Sequence, residues 1–280
     1  MDTLFEQFIK ERRYFRNLSE RTLSFYTETY NYFKRVGAFD DLSKQSLQNA
    51  LIIFRERGAG VGGINAYIRG VNTFLKWLHE EHSYENLSLK QLKGGQTILR
   101  SLTDDELKTI VRYKPKTFTE KRLQSILLLM IDTGLRINEC LTLERSKIDF
   151  DNLLLSVIGK GNKERIVPFS YELRKVLFKY SALHKFELMF CTRNGCKVSY
   201  DNILRDFYLL FEKLEVKPDG AFHSFRRTFA TNYVRNGGNP LVLQRLLGHT
   251  TLQQTNVYIK LITEDLQKEQ HRTSLLNRLR

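Results

Sequence analysis

The stretch HSFRRTFATNYVRNGGNPLVLQRLLGHTTLQQTNVYIK, residues 223–260, decides how the chain is read. Its pattern is helical, broken at Gly237-Gly238-Asn239-Pro240, a cluster of turn formers that closes one helix and opens another. His223 and Arg226 are three apart, so they share one face of the first helix. Gly248 is a natural C-cap, so the chain leaves the second helix in a turn at His249. Tyr258 follows nine residues later, on or beside a further helix. Each of these residues taken alone has a dull explanation: a satisfied core histidine, a solvated charge, a packing tyrosine.

Two more islands lie upstream. In TGLRINE (133–139), Arg136 follows a Thr-Gly turn and opens a helix, an exposed place for a guanidinium. In GKGNKERIVPF (159–169), Gly159-Lys160-Gly161-Asn162-Lys163 joins strand-like runs over 152–158 and 164–169, a hairpin signal. Lys160 sits in the bend and can reach away from the sheet. A second hairpin turn is expected at Arg193-Asn194-Gly195, a buried helix over about Lys121 to Asp132, and helix from about Asn202 to the end, broken also at Pro218-Asp219-Gly220. The segment opens at a capping box, Thr103-Asp104-Asp105-Glu106. Residues 102–280 therefore read as one domain, mostly helical with a small antiparallel sheet.

Further upstream, SLKQLKGGQTILRS (88–101) carries two adjacent glycines and no clear period, which places a linker at 91–101. Residues 1–90 read as helices only. Leu23, Tyr26, Tyr30 and Phe33 form one apolar stripe, Leu47, Leu51 and Phe54 a second, and Ile64, Tyr67, Ile68, Val71, Phe74, Leu75 and Leu78 a third. Arg21, Lys34, Arg35, Arg55, Arg57, Arg69 and Lys76 lie between these faces, which predicts a helical bundle with a basic surface. Any one such charge usually serves only solubility.

Charge balance extends the same point to the whole chain. Lys and Arg number 45 against 31 Asp and Glu, a formal net charge of +14 that favours a polyanionic partner, nucleic acid being the usual one. The cysteines, Cys140, Cys191 and Cys196, form no CxxC pair, so neither a disulfide framework nor a zinc site is indicated, and a reducing, cytoplasmic setting is expected. The N-terminal residues MDTLFEQFIKERRYF lack a signal-peptide core. No uncharged apolar run approaches the ~20 residues needed to cross a bilayer, so no membrane partner is expected.

As a set, two arginines, a lysine, two histidines and a tyrosine, without paired carboxylates, suit a phosphodiester. Arginine offers forked, permanent donors to phosphate oxygens. Histidine and lysine move protons, and tyrosine can attack and stay attached. The four islands, TGLR-x-x-E, GKGNK-x-R-x-V-P, H-x-x-R-x-x-x-A and LLGH followed after eight residues by Tyr, resemble in order and spacing the tyrosine recombinase (phage-integrase-like) family, and its compact Xer-type members most. The resemblance covers about residues 100 to 265, and the helical segment before them is similar in length and type to the family's core-site-binding domain.

The resemblance implies a site-specific recombinase that cuts and rejoins DNA through a 3′-phosphotyrosyl intermediate. It implies that Arg136 and Arg226 clamp the scissile phosphate, Lys160 protonates the departing 5′ oxygen, and His223 assists proton transfer. His249 would hydrogen-bond the phosphate and Tyr258 would attack, while Glu139 would orient neighbours rather than react. No cofactor, metal or ATP is expected. The implied architecture is an all-α core-binding domain and an α+β catalytic domain closing on double-stranded DNA at a core site as a C-shaped clamp. A homo-oligomer is implied, a tetramer on two DNA sites, with the leucines of 261–280 on a C-terminal helix that packs locally or on a neighbour. With about 100 residues before the catalytic half, a simple-site enzyme is expected, such as a dimer-resolution recombinase or a compact enzyme of a mobile element. Ser224-Phe225 and Arg227 depart from the commonest family residues, at positions without a chemical role. A type IB topoisomerase shares the chemistry but not the compact helical N-terminal segment or LLGH. A regulator that only binds DNA would not need all six positions filled.

Overall fold

A computed structural model describes residues 1–95, 99–159 and 164–248 of the chain. The chain divides into two compact units, Met1–Thr97 and Ile98–Arg280.

The first unit is four helices, α1 (Asp2–Tyr14), α2 (Glu20–Arg35), α3 (Lys44–Glu56) and α4 (Val61–His82). Ser19 caps α2 by accepting from the Thr22 N–H, and Ser43 caps α3 in a reciprocal pair with Ser46. The three sequence stripes face inward. Phe8, Phe33, Leu47, Ile64, Ile68 and Leu78 are fully buried, with Phe5 stacked on Tyr30 at 3.9 Å between centroids. Burial of each such side chain contributes roughly 1.5–3 kcal/mol. The basic residues between the stripes are exposed.

Helix stops earlier than expected, at His82, and a segment without regular secondary structure follows it. That segment is held on α4 by two asparagines. Asn72 accepts from the Leu89 N–H and donates to its carbonyl, each at 2.9 Å, and Asn65 does the same to Leu92. Leu87 and Leu89 are buried in the same core. An amide seven residues from another on one helix face can pair extended backbone, and no helical period announces it.

The second unit opens with α5 (Asp104–Arg112), capped by the Thr103–Glu106 box. Helix α6 (Phe118–Thr133) is its buried axis, with Leu123, Ile126, Leu127, Leu129 and Met130 enclosed. It is followed by α7 (Ile137–Leu141), β1 (Ile148–Asp149), β2 (Leu154–Ile158) and β3 (Glu164–Pro168), then α8 (Tyr171–Ser181), α9 (Tyr200–Lys213), α10 (Ala221–Arg235) and α11 (Pro240–Leu247). The sheet is antiparallel in the order β1-β2-β3. The fold is thus mostly helical with a small antiparallel sheet. The hairpin turn at Arg193–Gly195 is present, with Gly195 at φ 81° and Cys191 bridged to Lys197. Strand β1 and helix α8 are additions to the sequence reading. Ser170 caps α8, and Leu173, Leu177 and Tyr180 bury its inner face. α6 packs on α8, α9 and α10, which brings the C-terminal end of α6 beside α10.

Candidate active site

Four chain segments converge at the C-terminal end of α11. Helix α6 ends at Gly134, whose φ of +67° turns the backbone into α7. A Cβ on Gly134 would stand 2.4 Å from Phe229 Cδ1 and 2.9 Å from Leu247 Cδ2, so only glycine lets α6 end against α10 and α11. The Gly134 carbonyl accepts from Arg226 Nη1 at 2.8 Å. The other fork of Arg226, Nη2, donates to the Leu247 carbonyl at 2.6 Å. Arg136, the N-cap of α7, donates from Nη1 to that same carbonyl at 3.2 Å. Two guanidiniums from different helices therefore meet on one oxygen at the negative end of a helix, where cations are favoured.

A buried carboxylate orders one of them. Glu139 accepts from the Arg136 backbone N–H at 2.8 Å and from Arg136 Nη1 at 3.0 Å. Its two oxygens also take Nη1 and Nη2 of Arg165, both at 2.9 Å. Arg165 Nε donates to the Leu246 carbonyl at 2.9 Å. Burial pushes the Glu139 pKa up, but the Arg165 pair, the Arg136 N–H and the two positive charges outweigh it, and the net shift is downward. His223 lies one turn before Arg226 on α10, an exposed residue whose imidazole is partly enclosed. Desolvation by the surrounding protein, then the charges of Arg226, Arg136 and Arg227, hold its pKa below the ordinary histidine value.

Residues 100–264 match the phage integrase family, well over half the chain. The chain belongs to the phage integrase family. It is a tyrosine recombinase, an enzyme that cuts and rejoins DNA. Similar proteins include the tyrosine recombinase XerD of Oceanobacillus iheyensis, 26% identical over 272 residues that span 90% of this chain and 92% of that one. The tyrosine recombinase XerA of Thermococcus kodakarensis is 28% identical over 272 residues, 93% and 92% of the two chains. In fold, the integrase of the Tn1549 transposon, solved in complex with transposon right end DNA, is similar at a TM-score of 0.77, with 17% identity over 97% of this chain and 98% of that one.

In this phage integrase family member the structure brings Arg136 and Arg226 together and sets His223 beside them. Lys160, His249, Tyr258 and the expected C-terminal helix over 261–280 lie outside the described residues. Arg136 differs from its sequence reading: its side chain is 35% exposed and doubly bonded, since a guanidinium that opens a buried helix is drawn onto the local carboxylate and carbonyl. Arg165 was not singled out from sequence. The signal was its register: it pairs with Val157 and alternates in phase with buried Val167, an inward position where a charge demands a counter-charge. Among the described residues no cluster of His, Cys, Asp or Glu could hold a metal ion.

Two consequences of this geometry are measurable. Gly134→Ala is expected to destabilise the protein by roughly 2–4 kcal/mol, combining left-handed backbone strain with overpacking against Phe229. Urea denaturation followed by circular dichroism reads this, and a loss below about 1 kcal/mol would fall within ordinary substitutions. Glu139→Ala strands Arg165 and part of Arg136, a change worth about 3–5 kcal/mol at neutral pH. Because the folded-state pKa of Glu139 is lowered, its stabilisation is complete above the unfolded carboxylate value of about 4.3 and disappears as pH falls through the folded value. The gap in urea midpoint between wild type and Glu139→Ala should therefore narrow on acidification. A constant gap would show that the carboxylate charge is not what holds the arginines.

Proposed function

We propose that this recombinase exchanges DNA strands by transesterification at Tyr258, with the scissile phosphate seated on Arg136 and Arg226. The observation that carries the proposal is the convergence of these two guanidiniums on the Leu247 carbonyl, at the end of the helix that runs into His249 and the segment bearing Tyr258. Each guanidinium is planar, permanently charged and rich in N–H donors, which suits phosphate oxygens. Tyr258 Oη attacks phosphorus and its proton passes to a neighbouring base, a transfer that His223 assists. The bond from phosphorus to the 5′ oxygen breaks, and the Lys160 ammonium supplies the proton that makes the leaving group a hydroxyl. His249 donates a hydrogen bond to the phosphate. Charge on the equatorial oxygens is met by positioned cations, the general means of stabilising phosphoryl transfer. The incoming 5′ hydroxyl reverses the sequence, and the phosphotyrosyl bond conserves the energy of the broken strand, so neither ATP nor metal enters a step.

Double-stranded DNA is the partner, with Met1–Thr97 supplying a helical core-site surface through its exposed arginines and lysines. A tetramer on two sites is the working assembly. The three free thiols, Cys140, Cys191 and Cys196, suit a reducing cytoplasm, and among the described residues no helix is long and apolar enough to cross a membrane. The experiment uses sites recovered by genome-wide mapping of bound DNA, rebuilt as nicked suicide duplexes. Covalent adduct should form equally in excess EDTA and in magnesium. Complete loss on chelation, restored by metal, would contradict the mechanism.

A further inference from the structure

Stability alone does not account for Arg165. It occupies an inward register of β3, and the neighbouring inward residues of the hairpin are Leu155, Val157 and Val167. A buried ion pair is often no more stabilising than apolar residues of the same volume. What the guanidinium supplies instead is three-point geometry. It holds Glu139 of α7 with both Nη atoms and the Leu246 carbonyl of α11 with Nε. Gly248, at φ +63°, lies so close that a Cβ there would stand 3.2 Å from the guanidinium carbon. β3 is thereby tied at its first turn of chain to the two helix ends that carry Arg136 and receive Arg226. Lys160 lies five residues before Arg165, on the connection between β2 and β3.

We infer that Arg165 is a positioning residue for strand cleavage: it fixes the base of the β2–β3 hairpin against α7 and α11, so that the proton donor on the hairpin stays in register with the arginines that hold the phosphate. This deepens the proposed function and rests on the reading of Lys160 as the general acid. Among the described residues the side-chain hydrogen bonds of Arg165 go to Glu139 and the Leu246 carbonyl. Its guanidinium makes Glu139 and Leu246 a shared anchor, and a lysine ammonium, a single point charge, cannot hold both with one fork.

The test uses the full chain and two versions of one suicide duplex, with an oxygen or a sulfur at the bridging 5′ position. Arg165→Lys should bind DNA as wild type does and cleave the oxygen strand about 10²-fold more slowly, the scale of an ångström-level misplacement. On the sulfur strand, whose leaving group needs no proton, it should return close to the wild-type rate. Placed on a Lys160→Ala background, Arg165→Lys should add no further loss, since two residues acting through one group are not additive. Should Arg165→Lys melt below the assay temperature, Glu139→Gln removes the same anchor from the other side. It is expected to be rescued only in part, because Glu139 also orders Arg136. Rescue of Lys160→Ala by sulfur without rescue of Arg165→Lys overturns the positioning role alone. Failure of both to be rescued overturns that role together with the general-acid reading. Additive losses in the double variant, or wild-type cleavage by Arg165→Lys on the oxygen strand, overturn it as well.

Discussion

Tyr258→Phe is expected to keep DNA binding within about 0.5 kcal/mol of wild type, the range of an innocuous surface change, and to form no covalent adduct at all. The substitution removes one oxygen and leaves the ring. In the proposed mechanism the phosphate is seated by Arg136 and Arg226, whose guanidiniums are ordered by Gly134, Glu139 and Leu247. Binding energy and nucleophile are therefore separable, and loss of the nucleophile removes the reaction rather than slowing it. Tyr233 provides the control. It is a tyrosine of the same unit on α10, and its ring packs against the Gly238 turn, where a Cβ would meet it at 2.3 Å. Tyr233→Phe should cleave normally. Adduct formed by Tyr258→Phe on a nicked duplex, seen on a denaturing gel, would remove Tyr258 from the mechanism.

Lys160→Ala is expected to slow cleavage of ordinary DNA by ~10²–10⁴-fold, the contribution typical of a general acid. If Lys160 were only turn decoration, the same change would cost a few tenths of a kcal/mol of stability and little rate. The bridging 5′ sulfur separates the two readings, because a thiolate departs without a proton. Rate on the sulfur strand should be close to wild type for Lys160→Ala. Lys163 shares the hairpin connection and should show no such rescue. Rescue of Lys163→Ala in place of Lys160→Ala would shift the assignment by three residues and make Lys160 a DNA contact.

The parts of the site that were legible in the sequence are those carried by side chains in fixed local spacing. His223 and Arg226 share a face of α10, the capping box at Thr103 starts its helix, and Gly134 and Gly248 end theirs in the left-handed region. What joins the pieces was not legible. The oxygen on which Arg136 and Arg226 meet belongs to the backbone of Leu247, and a carbonyl leaves no trace in residue type. The partnership of Glu139 with Arg165 spans 26 residues and depends on β3 facing inward at that register. Helix α8 carried a readable signal, Ser170 as cap with Leu173, Leu177 and Tyr180 on one face, which the stronger motifs on either side overshadowed. The non-helical segment after His82 carries no periodic signal, because its hydrogen bonds are made by Asn65 and Asn72 side chains, far behind it in the chain.

The central claim, that the strand is held on Tyr258, is tested most directly by mapping the adduct. Covalent complex trapped on a suicide duplex is digested with nuclease and trypsin, and the nucleotide-bearing peptide is fragmented in a mass spectrometer. Trypsin cuts after Arg245 and Lys260, so the account predicts the peptide Leu246–Lys260 with the nucleotide mass on Tyr258, although Thr250, Thr251 and Thr255 are also present in it. A nucleotide localised to one of those threonines, or carried by any other peptide, would contradict it.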